Sequence, residues 1–116
     1  MSLLSKEDIL NPKNLKTLEV DVPELGGTVL IREMTGAERD ALEGFILKNK
    51  DNSPFENIRA RFVAYSIVDE QGNFIFSPDE IEALGKVSWR ALERIRKASD
   101  SLNAITKEDI EELRKN

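Results

Sequence analysis

The residues of this chain most able to do chemistry are its adjacent acids: Glu7/Asp8, Asp79/Glu80, Glu108/Asp109 and Glu111/Glu112. Two carboxyls can run general acid–base catalysis when a cleft holds them together and drives their pKa values apart. Most of these acids instead follow a Ser or Thr at the start of a helical pattern. There an acid bonds back to the cap residue and suits the positive end of the helix dipole, so capping is the favoured reading. Asp69-Glu70-Gln71-Gly72-Asn73 is rich in oxygen ligands, but an EF-hand loop needs glycine sixth and glutamate twelfth. Gly72 comes fourth, and a plain turn is expected.

Nucleophilic chemistry has little to work with. The chain has no histidine and no cysteine. That removes thiolate nucleophiles, Cys/His zinc sites, disulfides and the side chain most used for proton transfer near neutral pH. No G-x-S-x-G is present, and Gly26-Gly27 precedes a strand pattern rather than a helix. The glycines therefore read as a hairpin turn, not a phosphate loop. Catalytic residues, metal ligands and cofactors are all expected to be none.

One charge asymmetry remains. Lys86, Arg90, Arg94, Arg96 and Lys97 cluster around a single acid, Glu93. Arg90, Arg94 and Lys97 fall at i, i+4 and i+7, so a helix would align them as one basic stripe. Two readings fit: a solvated face with cross-chain ion pairs, or a docking face for an acidic partner. Nucleic acid is disfavoured because no stacking aromatics are interleaved. Trp89, at the head of this helix, reads as a core anchor.

The elements that must position these groups are marked by caps. Thr35-Gly36-Ala37-Glu38, Ser53-Pro54-Phe55-Glu56 and Ser77-Pro78-Asp79-Glu80 are capping boxes; Ser5–Asp8 and Thr106–Asp109 are weaker versions. Leu18, Val20 and Val22 alternate with Thr17, Glu19 and Asp21, which predicts a half-buried strand. Pro23–Gly27 turns it back into a second strand ending at Met34, so the hairpin occupies about 16–34. Helices follow over about 36–50, 54–68, 78–84, 88–102 and 107–115. The first of these carries Ala37, Ala41, Leu42, Phe45 and Ile46 inward. The second carries Phe55, Ile58, Phe62 and Tyr65, with Phe62 at the buried centre. Gly85 closes the short third helix. Phe74-Ile75-Phe76 is extended and able to pair with Ile67-Val68.

Composition bounds the rest. The chain has 116 residues, 40% apolar and 34% charged, the balance of one globular domain. Its net charge is −5 and its pI about 4.9, which opposes sequence-independent nucleic-acid binding. The start, MSLLSKEDIL, lacks the basic and apolar regions of a signal peptide, and no apolar run approaches a membrane span. A soluble cytoplasmic protein is expected. The fold class is α+β, mainly helical: one domain over 1–116, with an N-terminal antiparallel hairpin packed on four to five helices.

Several motifs, taken in order, carry a resemblance. They are a V-P-E-x-G-G turn, a strand ending R-E-M-T-G, A-E-R-D opening a helix, then NIRARFVAYSIVDEQG. Phe76-Ser77-Pro78-Asp79, a Leu84-Gly85 break, Leu102-Asn103 and an acidic closing helix follow. In order and spacing the chain resembles the tail assembly chaperones of long-tailed bacteriophages. The resemblance implies a small protein, not an enzyme, that binds the tape-measure protein and keeps it soluble while tail-tube subunits polymerise around it. It further implies a homo-oligomer, a longer frameshifted form, a host-cytoplasmic location and absence from the finished virion. The tail tube protein is a further partner on that reading; nucleic acid and membrane are not. The alternative is a minor structural tail or head–tail joining protein. The resemblance supplies no contact residues. From the residues themselves, partner binding falls on Arg90, Arg94 and Lys97 of the stripe and on Leu18 and Val20 of the hairpin edge.

Overall fold

The alternation of Leu18, Val20 and Val22 becomes strand β1, Thr17–Val22. It pairs antiparallel with β2, Gly27–Arg32, in a register that sets Leu18 opposite Ile31 and Val20 opposite Val29. Pro23–Leu25 make a tight helical turn between them, and Gly26 closes it at φ 74°, where a side chain would be strained. The computed structural model describes residues 2–53 and 55–103. The helix expected over 107–115, and its Thr106 cap, lie outside those residues.

A two-stranded hairpin is marginal in water, and here three things cover it. A short third strand, β3 (Ile67–Val68), extends the sheet to the order β1-β2-β3, also antiparallel. Val68 bridges in turn to Phe74. Helices α3 (Ile58–Ala64) and α5 (Trp89–Asn103) pack together beneath the sheet. Val22, Ile31, Ala60, Val63, Ile67, Ala91, Leu92 and Ile95 form one buried cluster, with Ile81 and Leu84 of α4 (Ile81–Leu84) closing it.

The helix expected over 54–68 is shorter at both ends. Asn57 adopts a left-handed φ of 51°, so the residues before it form turns and α3 starts at Ile58. At the far end the chain leaves the helix to pair with β2: the Arg32 N–H donates to the Ser66 carbonyl at 2.9 Å. The open edge of β2 is thereby satisfied, and tertiary pairing overrides helical periodicity. Phe55 consequently lies exposed and Phe62 is only half-buried; Val63 takes the central position.

Two buried hydroxyls join α3, α5 and β2. Ser66 Oγ donates to the Phe62 carbonyl, so the 2.8 Å contact between Ser66 and Ser99 must have Ser99 as donor. Ser99 Oγ accepts in turn from Asn103 Nδ2, whose own Oδ1 takes the Met34 N–H at 2.8 Å. Every polar atom in this chain of bonds has a partner.

The first main helix, α2 (Gly36–Lys48), is capped as its sequence predicts: Thr35 accepts from the Glu38 N–H, and Glu38 accepts from the Thr35 N–H. Its expected stripe is narrower than read, because Ala37 and Ala41 are exposed and Leu42 alone is buried. Arg32 ties this helix to the sheet. Its Nη2 donates to both Glu38 oxygens at 2.7 and 2.8 Å, Nη1 and Nε donate to the Gly72 and Glu33 carbonyls, and the guanidinium stacks on Phe74 at 4.6 Å. A small helix at the N-terminus, α1 (Lys6–Leu10), has its own capping box from Ser5 and Asp8. Gly85 ends α4 in ordinary right-handed conformation rather than as a left-handed stop. A Cβ there would meet Asn57 Oδ1 at 2.7 Å, the movable end of an exposed side chain, so a larger residue would mainly displace Asn57.

Ile31→Ala is expected to cost about 2–5 kcal/mol in urea denaturation, whereas Phe55→Ala stays within about 0.5 kcal/mol. Arg32→Met leaves the Glu38 carboxylate without its cation and should cost about 2 kcal/mol by the same measurement.

Candidate partner-docking site

Helix α5 has two unlike faces. Ala91, Leu92, Ile95 and Ser99 are buried against the sheet and α3. Arg90, Arg94 and Lys97 are exposed, and the expected stripe lines one surface depression of about 410 Å³ with Glu24, Glu93 and Trp89. Trp89 is 62% exposed, not a core anchor. The sequence held a signal for this: Trp89, Glu93 and Lys97 stand at i, i+4 and i+8, on the polar side of the helix.

Trp89 also borders a second hollow of about 220 Å³, with Phe55, Ile58, Arg59, Val87 and Leu92. Phe55 is 69% exposed. Two unburied aromatics therefore flank a hollow of mixed lining, where Ile58, Val87 and Leu92 meet Asn57 and Arg59. Such rings, large and stiff, are the side chains that interfaces use most.

Ion pairs sort these cations. Arg94 forks onto Glu24 of the hairpin turn at 2.9 and 2.8 Å, tying α5 to the sheet. Glu93 accepts from Arg96 at 2.6 Å and from Arg59 at 2.8 Å. Arg96 also reaches Asp100. Arg90 lies 5.6 Å from the Trp89 ring, and neither it nor Lys97 forms an ion pair among the described residues. The Arg94 guanidinium bonded to Glu24 holds that carboxyl down at about 2. Arg96, with Arg59 behind it, does the same for Glu93, also about 2, against the opposing effect of burial. Carboxyls so firmly ionised are poor proton donors near neutral pH, where an acid–base catalyst needs a pKa close to the operating pH.

Leu18 and Val20 lie apart from this depression, on the sheet face turned toward α5. Val20 packs against the core and Leu18 remains 40% exposed. What β1 offers a partner is its backbone: β1 is an edge strand, unpaired on its outer side among the described residues. Asp69, at the oxygen-rich turn, accepts from the Gln71 and Asn73 N–H groups, and Gly72 takes φ 86°. Among the described residues no three acids converge as a metal site would require, and no helix is long and apolar enough to cross a membrane.

The fold is of the α+β class, an antiparallel hairpin extended by one short strand and backed by helices. It is similar to the solved structure of the tail assembly chaperone of bacteriophage HK97, with a TM-score of 0.63, 18% sequence identity, and 92% of this chain aligned to 91% of that one. No protein-family model matches the chain, and no curated protein matches it in sequence.

Below their ordinary values, the two carboxyls bind fewer protons folded than unfolded. Their contribution to stability is therefore complete above about pH 4.5 and lost as the pH falls from there toward about 2. The urea midpoint of the wild type should drop across that window, and Glu24→Gln with Glu93→Gln should flatten the drop.

Proposed function

We propose that the chain is a phage tail assembly chaperone that binds a tape-measure protein and keeps it soluble during tail-tube assembly, without catalysis. The observation that carries this reading is the fold similarity to the HK97 tail assembly chaperone along nearly the whole of both chains. The ordered motifs from the hairpin turn to Gly85 support it independently. So does the chemistry of the surface: a holdase needs solubility from net charge, exposed apolar contacts and an open strand edge, but no reactive group.

On this reading the client meets two surfaces. Of the stripe Arg90, Arg94 and Lys97, Arg90 and Lys97, unpaired among the described residues, orient acidic stretches of the client beside Trp89, and Arg94, bonded to Glu24, holds the helix that carries them. The β1 edge at Leu18 and Val20 takes an extended segment by strand addition. Holding the client by mass action lowers its free, aggregation-prone concentration. The protein acts in the cytoplasm of the bacterial host, beside the tail tube protein and a longer frameshifted form of itself, and leaves before the virion is complete.

The test is co-expression with the tape-measure protein of the same genome, scoring the soluble tape-measure fraction. A large rise, with the two proteins co-purifying, is expected. An unchanged soluble fraction, together with stoichiometric presence of this chain in purified virions, would replace the chaperone reading with a structural one. Arg90→Glu with Lys97→Glu should reduce co-purification severalfold while leaving the melting temperature unchanged, since neither side chain supports the fold. Arg94 is left intact in that pair because it anchors Glu24.

A further inference from the structure

The outer side of β1 is an open edge, and the register shows which residues it offers. The Glu33 N–H donates to the Lys16 carbonyl, and this pair continues the β1–β2 register by one step. Backbone groups of an antiparallel pair alternate between facing the partner and facing away. Leu18, Val20 and Val22 therefore turn theirs toward β2, and Thr17, Glu19 and Asp21 turn theirs outward. β2 agrees: Arg32, opposite Thr17, gives its N–H to Ser66 on the far side. Among the described residues, the N–H and carbonyl groups of Thr17, Glu19 and Asp21 have no backbone partner.

Side chains sort the same way. On the face toward α5, Val22 is buried, Val20 packs on the core and Leu18 is 40% exposed. Thr17, Glu19 and Asp21 stand exposed on the opposite face. Neither Glu19 nor Asp21 forms an ion pair among the described residues. Asp21 accepts from the Thr28 hydroxyl at 2.9 Å, a neutral partner. The nearby cations do not offset these acids. Arg32 is bonded to Glu38, Lys13 lies at the Thr17 end beside the 69–73 turn, and Lys16 falls by alternation on the α5 side.

Charge on an edge strand guards against unwanted pairing, and here it also selects. A second β1 edge would set Glu19 and Asp21 against acids of their own kind, and like charges across a strand pair are destabilising. An added strand with Lys or Arg at every second position meets those acids instead, and its intervening apolar residues fall beside Leu18 and Val20. We infer that the open edge of β1 takes an extended client segment of alternating basic and apolar residues, its cations beside Glu19 and Asp21 and its apolar side chains beside Leu18 and Val20. The inference rests on the client reading for the source of that segment, while the preference follows from the edge itself. The two surfaces then make opposite demands on a client: a basic, extended stretch at β1 and an acidic one at Arg90 and Lys97.

Peptide titration with residue-resolved hydrogen exchange tests it. The probe is a short peptide alternating Lys and Val. Once bound, it should protect the amides of Thr17, Glu19 and Asp21. Two control peptides should each bind about tenfold more weakly. One has Glu in place of Lys; the other keeps the probe's composition but groups its lysines at one end. Glu19→Lys with Asp21→Lys should reverse the preference between the Lys and Glu peptides. Both side chains are exposed, so the melting temperature should hold. Equal affinity for the alternating and grouped peptides, protection on α5 in place of β1, or an unreversed preference in the double variant would overturn the inference. Soluble tape-measure protein is scored separately by co-expression. A rise there without the peptide preference overturns this inference alone. The preference without that rise supports the edge's selectivity and removes the tape-measure client.

Discussion

The Arg32 clasp is the constraint on which the rest of this structure depends. The hairpin, α2 and the 69–73 turn are three pieces that would not hold one another by apolar contact alone, since α2 buries only Leu42. One guanidinium at the end of β2 meets all three: the Glu38 carboxylate at the head of α2, the Gly72 carbonyl in the turn and the Phe74 ring beyond it. Because Glu38 also completes the capping box with Thr35, a single carboxylate both starts the helix and fixes its direction relative to the sheet. A partly buried charge is tolerable when its hydrogen bonds are satisfied, and here each guanidinium nitrogen has an acceptor: Nε the Glu33 carbonyl, Nη1 the Gly72 carbonyl and Nη2 the Glu38 carboxylate. The run R-E-M-T-G-A-E-R-D is thus chiefly architectural.

Helix α5 turns that architecture into a surface. Its buried face is pinned by the Ser66–Ser99–Asn103 chain of hydrogen bonds and by Leu92 and Ile95 in the core. Its outer face is pinned by the Arg94 fork on Glu24. A helix held from both sides cannot roll, so Trp89 and the cations beside it stay aimed at solvent. The polar network adds direction to a core that apolar packing alone would leave free to slide.

Local signals were legible in the sequence, and non-local ones were not. The hairpin, its glycine turn and the boxes at Ser5 and Thr35 depend on residues close to one another in the chain, and each stands where its spacing put it. The end of α3 depends on the free edge of β2, more than thirty residues earlier in the chain, so periodicity ran the helix through Ile67-Val68. Helical spacing puts Phe55 inside and residue type puts Trp89 there, although Glu93, the i+4 neighbour of Trp89, is charged. The basic stripe was visible from spacing alone, but the sequence could not show that Arg94 is committed to Glu24, seventy positions away.

That commitment changes how the surface is charged. With Arg94 neutralised by Glu24, and Arg59 and Arg96 sharing Glu93, the field at the depression comes mainly from Arg90 and Lys97. The chain as a whole is at −5, so two copies, or a copy and an acidic client, repel at long range. At physiological salt that repulsion is screened beyond about 8 Å. Inside that distance the local cations and the exposed rings dominate, and the two contributions differ in kind. On the proposed docking of a client, apolar burial under Trp89 and Phe55 would supply most of the affinity, while Arg90 and Lys97 would select orientation and reject basic partners. The ionised fork between Arg94 and Glu24 gives almost no net charge to the contact, yet it decides where the selecting cations stand.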